Sequence, residues 1–349
     1  MCEEMSGMKK FALEEAVGHV LGHDLTRIVP GEMKGPQFHK GHVIQKEDIP
    51  MLLSMGKEHI YVWEKQADMY HEEEAAEILF GFCAGPGVDR KGPVEGKIEI
   101  LARHEGLLRL DTDSITRINA LGDLLIVTRH NNSAVKAGEK IAAVKAVPLV
   151  IAKARLEEAR AIAEANGVSP LLGVLPYKLQ DACVITTGSE VAKGLIEDRF
   201  TPVVVKKLAA FGIGLKRHIV TGDGVEEVGR AIGEARREKP GLILCTGGMS
   251  VDPDDNTPGA IKKSGAEIVT YGAPVVPGAM FLLGYYDDGT PIAGLPGCVM
   301  YQGTTVFDLV LPRIAAGMRL TREDFAGFGI GGLCLGCPEC RYPVCPFGR

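Results

Sequence analysis

Residues 241–258 read GLILCTGGMSVDPDDNTP, and this stretch decides the fold class because it joins a buried strand to a helix. Its apolar run LIL is typical of a parallel strand, and Thr257 followed by Pro258 is typical of an N-cap and a first helical residue. Gly247 and Gly248 lie between them and allow a ligand to approach the backbone. A tight turn accounts for the two glycines equally well, so both interpretations stay open at this point.

Three acids follow the double glycine, at Asp252, Asp254 and Asp255. Carboxylates beside a loop that holds a phosphate are suited to a divalent cation, which would face the bound ligand. The alternative is that these acids are solvated turn residues. The stretch therefore predicts either chemistry on a phosphorylated small molecule or a plain surface turn.

Size and charge exclude several classes of protein. The chain has 349 residues, enough for two or three domains, and a formal net charge of −6 with acidic and basic residues interspersed. No basic run indicates a nucleic-acid partner, and no apolar run approaches the length of a membrane span. The charged N-terminus MCEEMSGMKK has no apolar signal segment, so we expect a cytoplasmic protein.

Changes in periodicity divide the chain into four expected parts. Residues 1–88 predict an α+β unit that includes a helix over 11–21, and residues 89–150 predict a β-rich unit. Over residues 151–328 strands come to alternate with helices, which predicts a doubly wound parallel sheet with ligands at the carboxyl ends of its strands. Residues 329–349 form a cysteine-rich tail.

Three glycine-containing loops follow strands of this expected sheet, and each precedes a helical segment. Helix N-termini offer free N–H groups and a favourable dipole to an anion. One such loop is weak evidence, but three in a single domain favour a binding site. The candidate ligand-binding residues of the three loops are Thr187, Gly188, Ser189, Gly247, Gly248, Ser250, Pro296 and Gly297.

Acidic side chains accompany the loops at Glu190, Asp223 and Asp255. They follow different strands, and the carboxyl ends of parallel strands meet at one edge of a sheet, so we expect them to converge and share a cation with a ligand phosphate. Asp223 has a second interpretation, because Gly-Asp-Gly is ordinary turn chemistry and aspartate caps helices well.

The order of these motifs resembles that of a known family. The runs TTGSE, TGDG, TGGMSVDPDD, VVPGA and GLPG follow the order of the molybdopterin-binding domain shared by molybdopterin adenylyltransferases and molybdopterin molybdenumtransferases. The resemblance covers about residues 180–320 and implies a three-layer α/β fold, a parallel sheet between helices, that binds the dithiolene pterin through its phosphate. It also implies a homodimer, and it adds Pro277 and Gly278 to the ligand-binding residues.

By the same resemblance, Glu190, Asp223 and Asp255 match the acids of a metal-insertion site. They would hold Mg²⁺ and support insertion of molybdate or tungstate into adenylylated molybdopterin, a transferase reaction of molybdenum cofactor biosynthesis. Two departures from the family pattern fall in the same loops. The VVPGA loop continues at Ala279 without the usual lysine, and Cys298 replaces the asparagine of the GLPGNP loop.

The tail has a chemistry of its own. Four of the nine cysteines of the chain follow the pattern C-x2-C-x2-C-x4-C-P there. Four soft ligands at this spacing suit a tetrahedral Zn²⁺ or an iron–sulfur cluster, and the run resembles a ferredoxin motif with one extra residue. Unrelated free thiols are the alternative. The candidate metal ligands are Cys334, Cys337, Cys340 and Cys345.

Three functions stay open from the sequence. The first is an enzyme or accessory factor of molybdenum cofactor biosynthesis that acts on molybdopterin at or near metal insertion. The second is a non-catalytic carrier or sensor of the finished cofactor, which docks through its cysteine tail on a molybdoenzyme or on another cofactor-biosynthesis protein. The third is a nucleotide hydrolase that uses the same loops.

Overall fold

A computed structural model describes residues 8–29, 31, 33–63, 66–165, 167, 170–250, 252 and 255–348. The chain divides into two compact units, Met1–Val174 and Leu175–Arg349. The division thus follows Val174 rather than residue 150, because the helix over Lys153–Ala165 buries its apolar side chains in the core of the first unit. Within the described residues, no helix is both long enough and apolar enough to cross a membrane.

The strands up to the boundary between the units are short and mostly antiparallel. They are β1 (Met8–Ala12), β2 (Leu25–Val29), β3 (Met33–Phe38), β4 (His59–Trp63), β5 (Met69–His71), β6 (Val88–Val94), β7 (Lys97–Ala102), β8 (Gly106–Leu110), β9 (Leu124–Thr128), β10 (Ala134–Val135), β11 (Lys140–Ala146), β12 (Val150–Ala152) and β13 (Leu172–Leu175). The helices of this part are α1 (Ile49–Ser54), α2 (Glu72–Cys83), α3 (Thr112–Asn119) and α4 (Lys153–Ala165).

The helix expected over residues 11–21 is wrong. β1 pairs antiparallel with β4, and turns follow β1 up to Gly18. Leu13, Ala16 and Leu21 are all buried in a small core of their own. These apolar side chains are buried, as a helix with this spacing would bury them. The backbone that carries them is a strand followed by turns.

An antiparallel sheet in the order β6-β7-β11-β9 lies at the centre of the remainder of the first unit. The helix α4 contacts both α2 and α3, and α2 and α3 contact this sheet. The apolar side chains of all three helices share one core with the sheet. The strands of the expected β-rich unit are present, and the sequence analysis did not predict α3, which packs against β9.

The second unit alternates strands and helices. Its strands are β14 (Asp181–Thr187), β15 (Gly214–Thr221), β16 (Ile243–Thr246), β17 (Glu267–Tyr271), β18 (Leu282–Tyr285) and β19 (Pro291–Leu295). Its helices are α5 (Ser189–Ala192), α6 (Phe200–Ala209), α7 (Val225–Arg237), α8 (Thr257–Lys263), α9 (Val306–Ala315) and α10 (Arg322–Gly327). A 3₁₀ helix over Gly297–Met300 precedes α9.

These strands form one sheet in the order β15-β14-β16-β19-β18-β17, of which the first four are parallel. The register pairs Thr187 with Thr221, and Thr246 with both Thr186 and Leu295. The carboxyl ends of the four parallel strands are therefore level. Since each end leads directly into a predicted ligand-binding loop or into the Gly-Asp-Gly turn, the sheet brings these segments to one edge.

Helices cover both faces of the sheet. α6 and α9 pack on one face around Val204, Leu208 and Val310, and α7 and α8 pack on the other around Ile232 and Ile261. β14 and β16 are buried along their whole apolar length, as expected of central parallel strands. The predicted three-layer α/β architecture of this part of the chain is confirmed.

Candidate functional site

Buried threonines join the first two loops at the carboxyl end of the sheet. The Thr187 hydroxyl donates to the carbonyl oxygen of Thr246 at 3.1 Å and lies 3.4 Å from the hydroxyl of Thr257. The Thr257 hydroxyl donates to the carbonyl oxygen of Gly247 at 2.9 Å, and the N-cap of α8 is Asn256 rather than Thr257. Thr257 therefore holds the loop instead of capping the helix.

The two glycines of the second loop are required by this close packing. Gly247 and Gly248 have φ of +88° and +56°. A Cβ on Gly247 would lie 2.5 Å from the Thr187 carbonyl oxygen, and one on Gly248 would lie 2.9 Å from the Thr257 hydroxyl. Contact between the loops thus accounts for both glycines without a ligand.

A cavity of about 480 Å³, here called the strand-end cavity, opens beside these loops. Thr187 and Gly247 were predicted to bind a ligand and do line it. Met300, at the end of the 3₁₀ helix that follows Pro296, lines it too, so the third loop reaches the same space. The complete lining is Thr186, Thr187, Val191, Ile196, Glu197, Asp198, Arg199, Phe200, Thr246, Gly247 and Met300.

A polar network that sequence reasoning missed supports one wall of the strand-end cavity. The Thr186 hydroxyl lies 3.0 Å from Asp198 Oδ2, 2.9 Å from the Thr201 hydroxyl and 3.0 Å from His218 Nε2. Asp198 Oδ1 also accepts the backbone N–H groups of Phe200 and Thr201 at the start of α6. The signal was the Asp198–Thr201 spacing ahead of Pro202, which is typical of a capped helix start.

Hydrogen-bond donors around Asp198 favour the ionised form of its carboxyl group. Its burial alone would raise the pKa of this carboxyl, but hydrogen bonds from the Thr201 hydroxyl and from the N–H groups of Thr201 and Phe200 hold the pKa below its ordinary value. The wall of the strand-end cavity therefore carries a fixed negative charge beside exposed Arg199.

The three predicted acids stand in different settings. Asp223 Oδ2 accepts the N–H of Ser189 at 2.7 Å and so caps the start of α5, while the side chain of Glu190 is exposed. Asp255 lies on the loop after β16, where its N–H donates to the carbonyl oxygen of Asp252. Asp254 lies outside the described residues. In the described part of the chain, no three His, Cys, Asp or Glu side chains form a group able to hold one metal ion.

Tyr271 fixes the far end of the second loop. Its hydroxyl donates to the carbonyl oxygens of Met249 and Ser250 at 3.1 and 3.2 Å. Burial and the negative charge of Asp255 raise the pKa of Tyr271, so the hydroxyl keeps its proton and stays a donor. Ser250, predicted to bind a ligand, is exposed and is held here through its backbone.

The Pro277-Gly278 loop packs against the start of α9. Val306 N–H donates to the carbonyl oxygen of Pro277 at 3.2 Å. A Cβ on Gly278, which has φ +122°, would lie 2.7 Å from Val306 Cγ1. Neither residue lines the strand-end cavity, and their described contacts fix the end of a helix.

The four tail cysteines all line a second cavity, of about 80 Å³, here called the cysteine cavity. Cys334 and Cys345 are partly buried, and Cys337 and Cys340 are exposed. The four predicted metal ligands thus border one space, but no three of these described side chains are placed to hold one metal ion.

Comparison with known families gives a match in each of the two units. Residues 183–316 match a family described as "Probable molybdopterin binding domain". Over these residues the second unit is similar to molybdopterin-binding domains. Residues 10–64 match a family described only as a domain of unknown function.

Relatives of known name resemble parts of the chain. A "Putative competence-damage inducible protein" of Bacillus cereus (strain AH187) is 33% identical over 91 residues, which are 26% of this chain. The match spans only 22% of that relative, so its activity as a whole protein is not transferred by the likeness.

Solved structures resemble the chain more distantly. The molybdopterin biosynthesis enzyme MoaB of Thermus thermophilus has a TM-score of 0.33 and 18% identity, covering 40% of this chain and 98% of that one. The molybdopterin biosynthesis MoeA protein of Pyrococcus horikosii has a TM-score of 0.34 and 15% identity, covering 71% of this chain and 79% of that one.

Proposed function

We propose that the molybdopterin-binding domain holds the phosphate of molybdopterin in the strand-end cavity. The observation that carries the proposal is the position of this cavity: it opens at the level carboxyl ends of β14 and β16, in a domain matched to a molybdopterin-binding family. This edge is where open α/β sheets bind their ligands.

Groups that can bind an anion line the strand-end cavity. Gly247 exposes backbone to the space without a side chain, and Arg199 adds a guanidinium that can pair with two phosphate oxygens. The chain as a whole carries a net charge of −6, so local groups must supply the attraction. Asp198 keeps its negative charge engaged by N–H and hydroxyl donors of α6, which limits its repulsion of a phosphate.

We further propose a role at metal insertion, in which molybdate or tungstate enters adenylylated molybdopterin. Mg²⁺ commonly binds one or two carboxylates together with substrate phosphates, so a single acid near the ligand suffices. Asp255, on the second loop, is the candidate because Asp223 is engaged as a cap. Asp255 would hold the cation, which would polarise the phosphoryl group. As a transferase of this kind the protein would act as a homodimer in the cytoplasm.

The second candidate function is a carrier or sensor that binds the cofactor without turnover. The capping bond from Ser189 N–H to Asp223 favours it, because this bond occupies one of the three acids of the expected insertion site. In this role the tail would dock on a molybdoenzyme or on another cofactor-biosynthesis protein.

Turnover of adenylylated molybdopterin with molybdate and Mg²⁺ separates the two candidates. For the enzyme we expect hydrolysis that is lost in Asp255→Asn and kept in Asp252→Asn, a control on the same loop. Binding without turnover by the wild-type protein would establish the carrier and contradict the enzyme.

Binding itself is tested by titrating molybdopterin into Arg199→Ala and Arg237→Ala. A charge-assisted hydrogen bond contributes about 1.5–3 kcal/mol, so Arg199→Ala should raise the Kd for molybdopterin by at least about tenfold. Arg237 lies at the exposed end of α7 and its loss should leave the Kd unchanged. Equal affinities for the two variants would contradict binding in the strand-end cavity.

A further inference from the structure

The segment over residues 10–64, here called the N-terminal module, has a small core of its own. This core includes Leu13, Leu21 and Phe38. Helix α2 begins at Glu72 and packs in a different core, together with the antiparallel sheet of the first unit. Contacts between the N-terminal module and the start of α2 therefore join two separately packed parts of the first unit.

The side chain of His71 makes such contacts from inside the fold. It is 1% exposed and caps the N-terminus of α2. Its Nε2 lies 2.7 Å from the carbonyl oxygen of Gly22, and its Nδ1 lies 2.9 Å from Lys40 Nζ. The N–H of Glu73 donates to the same Nδ1 at 3.3 Å. One imidazole thus bridges two segments of the N-terminal module and the first turn of α2.

The partners of His71 determine where its ring carries a proton. A carbonyl oxygen only accepts, so Nε2 carries a hydrogen and donates to Gly22. An ammonium and a backbone N–H only donate, so the lone pair of Nδ1 accepts from Lys40 and Glu73. These bonds need the neutral ring. A second proton, on Nδ1, would remove the acceptor of both donors and place a positive charge beside the ammonium of Lys40.

Charged groups face His71 from both the N-terminal module and α2. Burial is the largest cause that lowers the pKa of His71 below its ordinary value of 6.5, and the ammonium of Lys40 lowers it further. The hydrogen bond to the Gly22 carbonyl raises the pKa, as do the carboxylates of Glu73 and Glu74, but the net direction is downward. The closed arrangement therefore disfavours the protonated ring.

A second histidine of the N-terminal module lies directly after Gly22. The Nδ1 of His23 is buried and has no hydrogen-bond partner among the described residues. Burial lowers the pKa of His23, and the positive charges of Lys57 and His71 lower it further. The carboxylate of Asp24 acts in the opposite direction. Acid therefore acts on His23 in the same direction as on His71.

We propose that His71 is a proton-operated clasp, which holds the N-terminal module on the start of α2 and releases it on acidification. A proton from the solvent binds Nδ1 and stays on the ring, so the bonds from Lys40 and Glu73 break. The released state binds this proton more tightly than the closed state does, because the pKa of His71 is lowered only in the closed state. The clasp is therefore complete above pH 6.5 and weakens as the pH falls below that value.

The test is hydrogen–deuterium exchange of the full chain at about pH 7.5 and about pH 5.5, corrected for the intrinsic pH dependence of amide exchange. Protection over residues 19–25 and 38–42 should fall, by a factor of up to about ten for each pH unit below the ordinary pKa of histidine. Protection over residues 97–102, in the sheet of the first unit, should not change.

Two variants separate His71 from other histidines. His71→Gln keeps a donor for the Gly22 carbonyl and has no ring that titrates, so its protection over residues 19–25 should be the same at both pH values. His59→Gln is the matched control, because His59 is an exposed histidine on β4 of the same module. It should lose protection in acid as the wild type does.

Two results would overturn the proposal: a wild-type protein whose protection over residues 19–25 and 38–42 does not change with pH, or a His71→Gln protein that loses it as the wild type does. If His71→Gln does not fold by circular dichroism, an NMR titration of the wild-type imidazoles replaces it. His71 should then titrate below pH 6.5, and a midpoint at or above 6.5 would equally contradict the clasp. None of these readouts uses molybdopterin, so they stand apart from the test of the proposed function.

Discussion

The strand-end cavity and the cysteine cavity lie in the same unit, but the buried hydroxyls beside them differ in their hydrogen bonding. Thr186 and Thr187, beside the strand-end cavity, have hydrogen-bond partners within the fold. Thr304, beside the cysteine cavity, is equally buried and has none among the described residues. The first cavity is therefore shaped by the protein's own hydrogen bonds, whereas the hydroxyl beside the second has no partner among the described residues.

The largest effect is expected where the strand-end cavity depends on a glycine. Gly247→Ala places a Cβ 2.5 Å from the Thr187 carbonyl oxygen at a backbone φ of +88°. Left-handed strain and overpacking together should lower the free energy of unfolding by about 3 kcal/mol. Urea unfolding at equilibrium measures this loss of stability. Gly259→Ala in α8 is the control, because its Cβ meets nothing within 4 Å and alanine favours a helix. Equal stabilities of the two variants would mean that the loops are not packed as described.

A smaller effect is expected at the capping carboxylate of the same cavity. Asp198→Asn should lower the free energy of unfolding by about 1–2 kcal/mol, since it removes a charged cap from the N-terminus of α6. Because the pKa of Asp198 is held below its ordinary value of 3.8, its contribution is complete above that pH. It is lost as the pH falls through the lower pKa of the folded state.

Urea unfolding of wild type and Asp198→Asn across this acid range provides the measurement. The difference in stability between the two proteins should shrink as the pH falls below 3.8. Thr201→Ser, which keeps the hydroxyl donor to Asp198, should retain the pH dependence of wild type. A difference that stays constant with pH would show that Asp198 is not ionised by its donors.

The smallest effect is expected at Thr304, where the sign of the change in stability shows whether the hydroxyl has a partner. Removing an unpaired buried hydroxyl stabilises a protein by about 1 kcal/mol, so Thr304→Val should raise the free energy of unfolding by about this amount. Thermal unfolding measures the change, and Thr304→Ser, which keeps the hydroxyl, is the control. A loss of stability in Thr304→Val would show that the hydroxyl has a partner in the folded protein.

The sequence predicted the second unit well because its signals are local. Each central strand is a short apolar run, and each is followed by a glycine loop and a helix start, as at Gly247. The helix predicted over residues 11–21 failed because β1 is defined by its pairing with β4, far along the chain. The spacing of apolar residues indicates which side chains are buried. Here a strand followed by turns buries the side chains that a helix would also bury.

The candidate site was predictable only in part for the same reason. Thr187 and Gly247 lie in loops that the sequence motifs identify. Asp198 and His218 instead contact Thr186 in the wall of the strand-end cavity, and these contacts join separate elements. The role of Asp223 required geometry as well, since only the Ser189 N–H bond identifies it as a cap. The cysteine spacing predicted a cluster of thiols, and the unpaired Thr304 hydroxyl beside it was visible only in the fold.

Hydrogen–deuterium exchange with and without molybdopterin tests the central claim most directly. If the ligand binds in the strand-end cavity, amide protection should rise in peptides over residues 186–189, 246–250 and 296–300 and stay unchanged in those over 97–102. Protection confined to other segments, at ligand concentrations that saturate binding, would contradict a molybdopterin site at the carboxyl ends of β14, β16 and β19.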